Sequence, residues 1–370
     1  MLVVGSCFLL MSAAQALNSL LSLPRRAGEW RALQRERAAQ AALREALAEY
    51  FGARYSRAHK AATRALAIQA DSATLRGDAE FTALGHLLAA GSLHRLQDRA
   101  KRDEQIASLT RTFKRGSAGR SAEDGARLLA AEWALDDRDA ARALQFIAEL
   151  PPGVARRAQA LRLKLQANRM ARQPLEALHT ARLLANHQAF SPTAAQGLLR
   201  SLAIDALEGA HDVQQLRRLW EQFDAADRRD PLVAARAALR AVALDAPAEA
   251  RAWLRPYWER LQELSRDERE QVALALMAAC EGLGTDWLPR IEAALSAFGH
   301  EPAVVAAAGT AFAERQLWGK ARRLLQQAGA APGLPGATRR RAWRLLARLA
   351  ESEGDAAERQ RCEHEAAAID

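Results

Sequence analysis

Apolar residues recur at spacings of three and four along most of the chain. The stretch "AALREALAEYFGARYSRAHKAATRALAI" shows this pattern, which is typical of amphipathic helices, and Gly52 interrupts it. Short breaks such as "LDDRD", "LPPG", "RRDP" and "GHEP" separate one helical segment from the next. Helices joined by such short connections predict antiparallel hairpins packed in the order of the chain. No alternating run rich in Val, Ile and Tyr is present, so we do not expect a β-sheet.

One segment tests whether the hairpins repeat. "AVVAAAGTAFAERQLWGKARRLLQQAGAAPG" resembles a tetratricopeptide repeat (TPR), a pair of helices with small residues where they cross. Gly309 and Ala321 would let the two helices approach closely, while Phe312, Trp318 and Leu325 fill the space around the crossing. Degenerate copies lie around Ala58 and Ala62, Leu161 to Ala181, and Trp343 to Ala366.

A single hairpin of this kind cannot bury its own apolar face, so hairpins must stack. The predicted fold class is therefore all-α, a TPR-like α-solenoid of antiparallel helix hairpins, which we expect over residues 41–370. An irregular helical bundle is the alternative.

The start of the chain, "MLVVGSCFLLMSAAQALNSLLSLPRR", is the least charged part. No charged side chain occurs from Leu2 to Leu23, which is about the length that crosses a bilayer as a helix. A basic block follows and consists of Arg25, Arg26, Arg31, Arg35 and Arg37. Because positive charge stays on the cytoplasmic side, this order predicts a transmembrane anchor at 1–23, a basic juxtamembrane segment at 24–40 and a cytoplasmic body.

Two alternatives for this opening stretch stay open. A cleaved signal peptide would explain "SAAQA", which has the small residues of a cleavage site, but the positively charged start of a signal is missing. A buried helix of a soluble protein is the other reading.

Composition supports helices and limits the partners. Ala, Leu and Arg dominate and aromatic residues make up 5%, which favours helix nearly everywhere. The net charge of +9 fits nucleic acid, an anionic membrane surface or an acidic ligand. The arginines are mixed with Asp and Glu, and no RNA-binding aromatic motif or zinc finger accompanies them. We therefore expect no nucleic-acid partner and an anionic membrane surface instead.

The sequence shows no recognisable catalytic or metal-binding motif. The three cysteines, Cys7, Cys280 and Cys362, form no CxxC pair, which indicates a reducing compartment without disulfides or structural zinc. "CEHE" at 362–365 lies on a charged terminal helix with no second ligand cluster, and phosphate-binding loops, GxSxG and HExxH are missing. We expect no enzyme activity, no catalytic residue, no bound metal and no cofactor.

A solenoid without catalytic residues binds through its concave face, which the first helix of each hairpin lines. In the repeat register above, the inward basic residues are Arg162, Arg169, Arg344 and Arg348, whose forks suit carboxylates. Ordinary solvated arginines are the competing interpretation. Around Gly309 the inward positions are Ala306, Thr310 and Ala313, which predicts a flat surface of small residues.

Four segments resemble a known family in their order along the chain. They are "LPRRAGEWRALQRERAAQAALREALAEYFGARYSRAHKAATRAL", "GSLHRLQDRAKRDEQI", "ALHTARLLANHQAFSP" and "GTAFAERQLWGKARRLL". The chain is similar to the proteobacterial HemY family of membrane-anchored TPR proteins associated with haem biosynthesis, not to the unrelated oxidase of the same name. The family typically carries two transmembrane helices, so the resemblance implies that 1–23 is the second of them. It implies a protein of the bacterial inner membrane that acts late in protohaem synthesis, and it implies no catalytic residue.

The resulting hypothesis is a non-catalytic scaffold whose cytoplasmic solenoid gathers late haem-pathway enzymes or hands on their acidic tetrapyrrole intermediates. One alternative is a general TPR scaffold for another envelope process. Another is a carrier that binds haem or porphyrin directly. Self-association into a homo-oligomer is open in each case.

Overall fold

The computed structural model describes residues 28–72, 75–114 and 120–369, and these residues contain helices and turns but no β-strand. The prediction of an all-α chain is confirmed, and the helices pack as a solenoid-like array. The described helices belong to two compact units, Met1–Ala171 and Arg172–Asp370, called unit 1 and unit 2. The single domain expected over 41–370 stays a prediction.

Unit 1 contains eight described helices. Its successive helices pack against one another, as in α2 with α3, α3 with α4, and α5 with α6. The helices are α1 (28–51), α2 (Tyr55–Ala70), α3 (Ala79–Arg95), α4 (Arg99–Lys114), α5 (Arg120–Asp136), α6 (Ala140–Ala148), α7 (Pro152–Ala155) and α8 (Ala158–Met170).

Unit 2 contains twelve α-helices and two 3-10 turns, Leu261–Glu263 and Thr285–Trp287. The helices are α9 (Pro174–Asn186), α10 (Pro192–Glu208), α11 (Val213–Gln222), α12 (Ala225–Arg228), α13 (Pro231–Ala243), α14 (Pro247–Trp258), α15 (Arg266–Ala278), α16 (Leu288–Phe298), α17 (Pro302–Glu314), α18 (Trp318–Ala330), α19 (Gly336–Glu353) and α20 (Ala356–Ala367).

The hairpins of unit 2 repeat with an almost constant period. Helices α13, α15, α17 and α19 start at residues 231, 266, 302 and 336, which are 34 to 36 residues apart, and each packs on the next. Helices α14, α16, α18 and α20 are the second members of the pairs. This period matches that of helix-pair repeats.

Proline and capping residues set the helix starts. Pro174, Pro192, Pro231, Pro247 and Pro302 each stand at the first position of a helix, where the missing N–H costs no hydrogen bond. These are the prolines of the predicted breaks, so the sequence located the boundaries correctly.

The close helix crossing predicted at Gly309 is confirmed. Phe312, Ala321 and Leu325 are buried, and a Cβ added to Gly309 would lie 3.1 Å from the Leu324 Cβ. Helices α17 and α18 therefore cross at the distance that a glycine permits.

One helix runs across the predicted end of the basic segment at residue 40. Helix α1 continues through residue 40, and Ala39, Ala42 and Ala46 are buried. The last residues of the basic segment thus join the core of unit 1. The predicted anchor at 1–23 lies outside the described residues, and among the described helices none is long and apolar enough to cross a membrane.

Candidate functional site

Nothing in the described part of the chain gathers three or more His, Cys, Asp or Glu side chains into a potential metal site. Cys362 of the "CEHE" segment is buried, and its Sγ lies 3.7 Å from Glu358 Oε1. Burial raises the pKa of the Cys280 thiol to about 12 and also raises the pKa of Cys362. Both thiols are therefore poor nucleophiles at neutral pH. Among the described residues, the charged groups held in defined contacts are mainly arginines.

Many arginines of unit 2 join successive hairpins through carboxylates. Arg269 Nη2 lies 2.6 Å from Glu301 Oε1, and the Arg269 guanidinium also stacks on the Phe298 ring at 4.5 Å. Arg200 pairs with Asp230 at 2.8 Å and Arg217 with Glu249 at 2.7 Å. The partners are 30 to 32 residues apart, which is close to one repeat.

Other arginines join hairpins without any carboxylate. Arg251 donates from Nη1 to the Ala279 carbonyl at 2.7 Å and from Nη2 to the Gly282 carbonyl at 3.2 Å, just beyond the end of α15. Arg240 donates to the Ala210 carbonyl beyond α10 at 2.9 Å. These carbonyls follow the last turn of a helix, near its partially negative end, so the guanidinium supplies donors of matching charge.

Helix α19 carries arginines that take part in neither arrangement. Arg341, Arg344 and Arg348 lie three and four residues apart and so share one stripe of the helix. Arg344 and Arg348 are exposed, and none of the three makes an ion pair or hydrogen bond to another described residue. We call these residues the α19 stripe. Two of the four sequence-predicted candidates are therefore exposed arginines on one stripe of a helix, without a described ion-pair partner.

The other two candidates, Arg162 and Arg169, lie in unit 1 on α8. Both are exposed, and their spacing of seven places them on one side of that helix. Arg162 and Arg169 belong to unit 1 and Arg344 and Arg348 to unit 2, so each pair is described within its own unit. The assignment of either pair to a concave face stays a prediction.

The predicted flat surface at Ala306, Thr310 and Ala313 is wrong. These residues are 0%, 3% and 4% exposed, because α17 packs against α15, α16, α18 and α19 at once. Arg341 of α19 is near enough to Cys280, two residues beyond the end of α15, to oppose the rise in the pKa of this thiol that burial causes. The four neighbouring helices thus bury the short side chains of α17.

The five arginines predicted to be juxtamembrane are only partly described. Arg31, Arg35 and Arg37 lie on α1 and are exposed. Arg25 and Arg26 lie outside the described residues. The exposed three are available to an anionic surface.

Sequence reasoning missed a buried polar network in unit 1. Arg102, which is 3% exposed, contacts Asp103 at 2.8 Å and Asp137 at 2.7 Å, and donates to His94 Nδ1 at 3.2 Å. Arg142 reaches Asp103 from α6 at 2.6 Å. The network ties α3, α4, α5 and α6 together, and only the charge density of "HRLQDRAKRD" could have signalled it.

The network also determines the charge state of Asp103. Burial acts to raise the pKa of this carboxyl, but hydrogen bonds from Arg142 and Arg102 outweigh it, and the pKa is lowered. Asp103 is therefore a permanent anion at neutral pH. Both arginines of the network, Arg102 and Arg142, already have carboxylate partners. The network therefore holds the helices of unit 1 together.

Comparisons with known proteins identify the beginning of the chain. Residues 1–80 match the family model described as "HemY protein N-terminus". No curated protein matches the chain. Among solved structures, the chain is similar to "Structure of Naa15/Naa10 bound to HypK-THB", with 14% identity and a TM-score of 0.28. That alignment covers 85% of this chain and 56% of the other, so this chain spans little more than half of its length.

Proposed function

The first 80 residues of this chain belong to the HemY family, and from that premise we propose a non-catalytic, membrane-anchored scaffold for a late step of haem biosynthesis. Its helical body lies in the cytoplasm beneath the inner membrane. There it gathers late haem-pathway enzymes or passes on their acidic tetrapyrrole intermediates. The repeating hairpins of unit 2 support this role, because stacked helix pairs offer long binding surfaces.

The α19 stripe is the observation that carries the proposal. Many arginines of unit 2 are occupied by carboxylates or carbonyls of the neighbouring hairpin, whereas Arg344 and Arg348 are exposed and have no described partner. Guanidinium forks bind carboxylates in pairs of parallel hydrogen bonds. An acidic segment of a partner enzyme is therefore the ligand that this surface fits best.

Membrane location is supported by the sequence at both sides of residue 23. The uncharged stretch from Leu2 to Leu23 has the length of a bilayer span, and the basic block after it favours a cytoplasmic body. The basic segment continues into α1, whose arginines are exposed.

Co-purification from detergent-solubilised membranes tests the function. We expect at least one late haem-pathway enzyme to be enriched with the tagged chain, and we expect deletion of the chain to change cellular porphyrin pools. If no such enzyme is enriched and the pools stay the same, the proposed function is wrong. Enrichment of other envelope proteins alone would indicate a scaffold for a different process.

A direct carrier would use the same carboxylate chemistry, because tetrapyrrole intermediates carry carboxylates too. Titration of the detergent-solubilised chain with protoporphyrin separates the two roles. A scaffold gives no saturable shift of the Soret band. A saturable shift of the Soret band at fixed stoichiometry would show that the chain is a carrier and not a scaffold.

A further inference from the structure

Helix α1 has two different apolar faces. Its inner face consists of Ala39, Ala42 and Ala46, which are buried in two clusters with residues of α2 and α3. Its outer face carries Trp30, Leu33, Leu47 and Phe51, which are 62%, 45%, 38% and 81% exposed.

The outer side chains form one surface. At 3.6 residues per turn, these four positions fall within about 100° of the circumference and extend over about 32 Å of helix. They are four of the nine large apolar residues found exposed in the described part of the chain. Single exposed apolar residues are normal, but this many along one helix face indicates a contact surface.

Charged residues also lie on this face. Arg37 and Arg44 project between the apolar positions without an ion pair to a described carboxylate, and Glu29 and Glu36 lie along one edge of the face. An apolar face of Trp, Leu and Phe on a helix rich in arginine is typical of helices that lie at an anionic bilayer surface, where long arginine side chains reach out to the headgroups. Two copies joined by this face would bring Arg37 and Arg44 of one copy close to the same arginines of the other, so a second copy fits less well.

The position of α1 in the chain agrees with this occupant. Four residues, 24–27, separate the uncharged stretch that ends at Leu23 from the start of α1 at residue 28. Such a link spans at most about 18 Å. If 2–23 crosses the bilayer, as in the proposed function, α1 must start within that distance of the headgroups.

We propose that α1 lies along the surface of an anionic bilayer, with Trp30, Leu33, Leu47 and Phe51 at the boundary of headgroups and acyl chains. The inner face then holds α2 and α3 on the side away from the lipid. This inference rests on the membrane location of the proposed function and adds the orientation of unit 1.

Spin labels on the full chain test the orientation. In a Cys7→Ser background, Leu47→Cys and Phe51→Cys probe the outer face, while Arg35→Cys and Ala38→Cys are exposed controls at least a third of a turn away. Cys280 and Cys362 are buried and do not compete for the label. The protein is reconstituted in vesicles that contain phosphatidylglycerol, and relaxation by oxygen is compared with relaxation by a water-soluble nickel complex.

We expect labels at 47 and 51 to be relaxed mainly by oxygen, and labels at 35 and 38 mainly by nickel. Arg37→Gln combined with Arg44→Gln should reduce this contrast, since both side chains are exposed and the core is untouched. Equal nickel access at all four positions of membrane-bound protein would overturn the inference. Dipolar coupling between labels at 51 of two copies would also overturn it, in favour of a dimer.

Failure of the anchor is a separate outcome. Alkaline extraction of membranes that contain the unlabelled chain shows whether the protein is retained. Loss from the membrane contradicts the proposed location, whereas retention with water-exposed labels at 47 and 51 contradicts only the orientation of α1.

Discussion

At two glycines of unit 2, side chains of a neighbouring helix leave little room for a Cβ. A Cβ on Gly309 would lie 3.1 Å from Leu324 Cβ, and one on Gly329 would lie 2.6 Å from the Trp343 indole ring. The sequence predicted the first contact because Gly309 occupies a recognised repeat position. It did not predict the second, because nothing in the local pattern connects Gly329 with a tryptophan in the next helix.

Gly329→Ala should destabilise unit 2. The added methyl group must displace a rigid indole, and overpacking of this kind costs about 1–3 kcal/mol, more than the gain in helix propensity of up to about 1 kcal/mol. The measurement is the denaturant midpoint of helix circular dichroism. Gly319→Ala in the same helix is the control, because a Cβ there meets nothing within 4 Å, and its midpoint should stay or rise. Equal midpoints for both variants would contradict the tight contact.

Asp103 should make unit 1 sensitive to acid. Its pKa is lower in the folded protein than in the unfolded chain, so the folded state binds fewer protons between the two values. The stabilisation is present above the unfolded pKa of about 3.9 and is lost as the pH falls through the folded pKa. Midpoints measured from pH 7 to pH 3 should fall less steeply for Asp103→Asn than for the native chain. If the midpoints of the two proteins fell in parallel with pH, Asp103 would not contribute to the acid sensitivity of unit 1.

At the scale of helices, the turns share an unusual backbone conformation. Positive φ values occur at non-glycine residues after several helices, including Gln97, Arg138, Asp245 and Gln316, and at Gly354 after α19. At Gln316 the next amide, Leu317 N, bonds to the Phe312 carbonyl at 2.8 Å, which closes the end of α17. The sequence placed the breaks at Arg138, Asp245, Gln316 and Gly354 correctly but did not predict the one at Gln97. It could not reveal the left-handed residues, because most of them are not glycine.

Gln316→Gly should raise stability, because a side chain in this conformation costs about 1 kcal/mol or more. Greater freedom of glycine in the unfolded chain offsets part of that gain, so we expect about 0.5 kcal/mol. Gly354→Ala is the inverse change at φ 76° and should lower stability by about 1 kcal/mol. Thermal unfolding of both variants checks the signs, and a rise for Gly354→Ala would contradict this account of the turns.

Arg251→Ala tests the arginines that join hairpins through carbonyls. The change removes charged donors from the Ala279 and Gly282 carbonyls, and hydrogen bonds to charged groups contribute about 1.5–3 kcal/mol. We expect a loss of that order in the free energy of unfolding. Arg218→Ala, at an exposed arginine without a described partner, should cost less than about 0.5 kcal/mol. Similar losses for the two variants would remove the distinction between structural and free arginines.

At the scale of the whole molecule, these contacts explain part of the net charge of +9. An arginine that binds a helix C-terminus needs no carboxylate, so arginine accumulates in the structure without matching acid. The sequence predicted the helical array because spacing, proline and small residues are local signals. It could not separate structural from free arginines, since the partners lie about one repeat apart and only the packed helices bring them together.

The central claim is that the α19 stripe binds an acidic segment of a partner, and charge reversal tests it most directly. We would compare Arg344→Glu/Arg348→Glu with Arg218→Glu/Arg229→Glu, which reverses two exposed arginines elsewhere in unit 2. The readout is the amount of each late haem-pathway enzyme that co-purifies from detergent-solubilised membranes, with equal helix content confirmed by circular dichroism. We predict at least a tenfold loss of the bound enzyme for the first pair and native recovery for the second. Native recovery with both pairs, or equal loss with both, would contradict the claim.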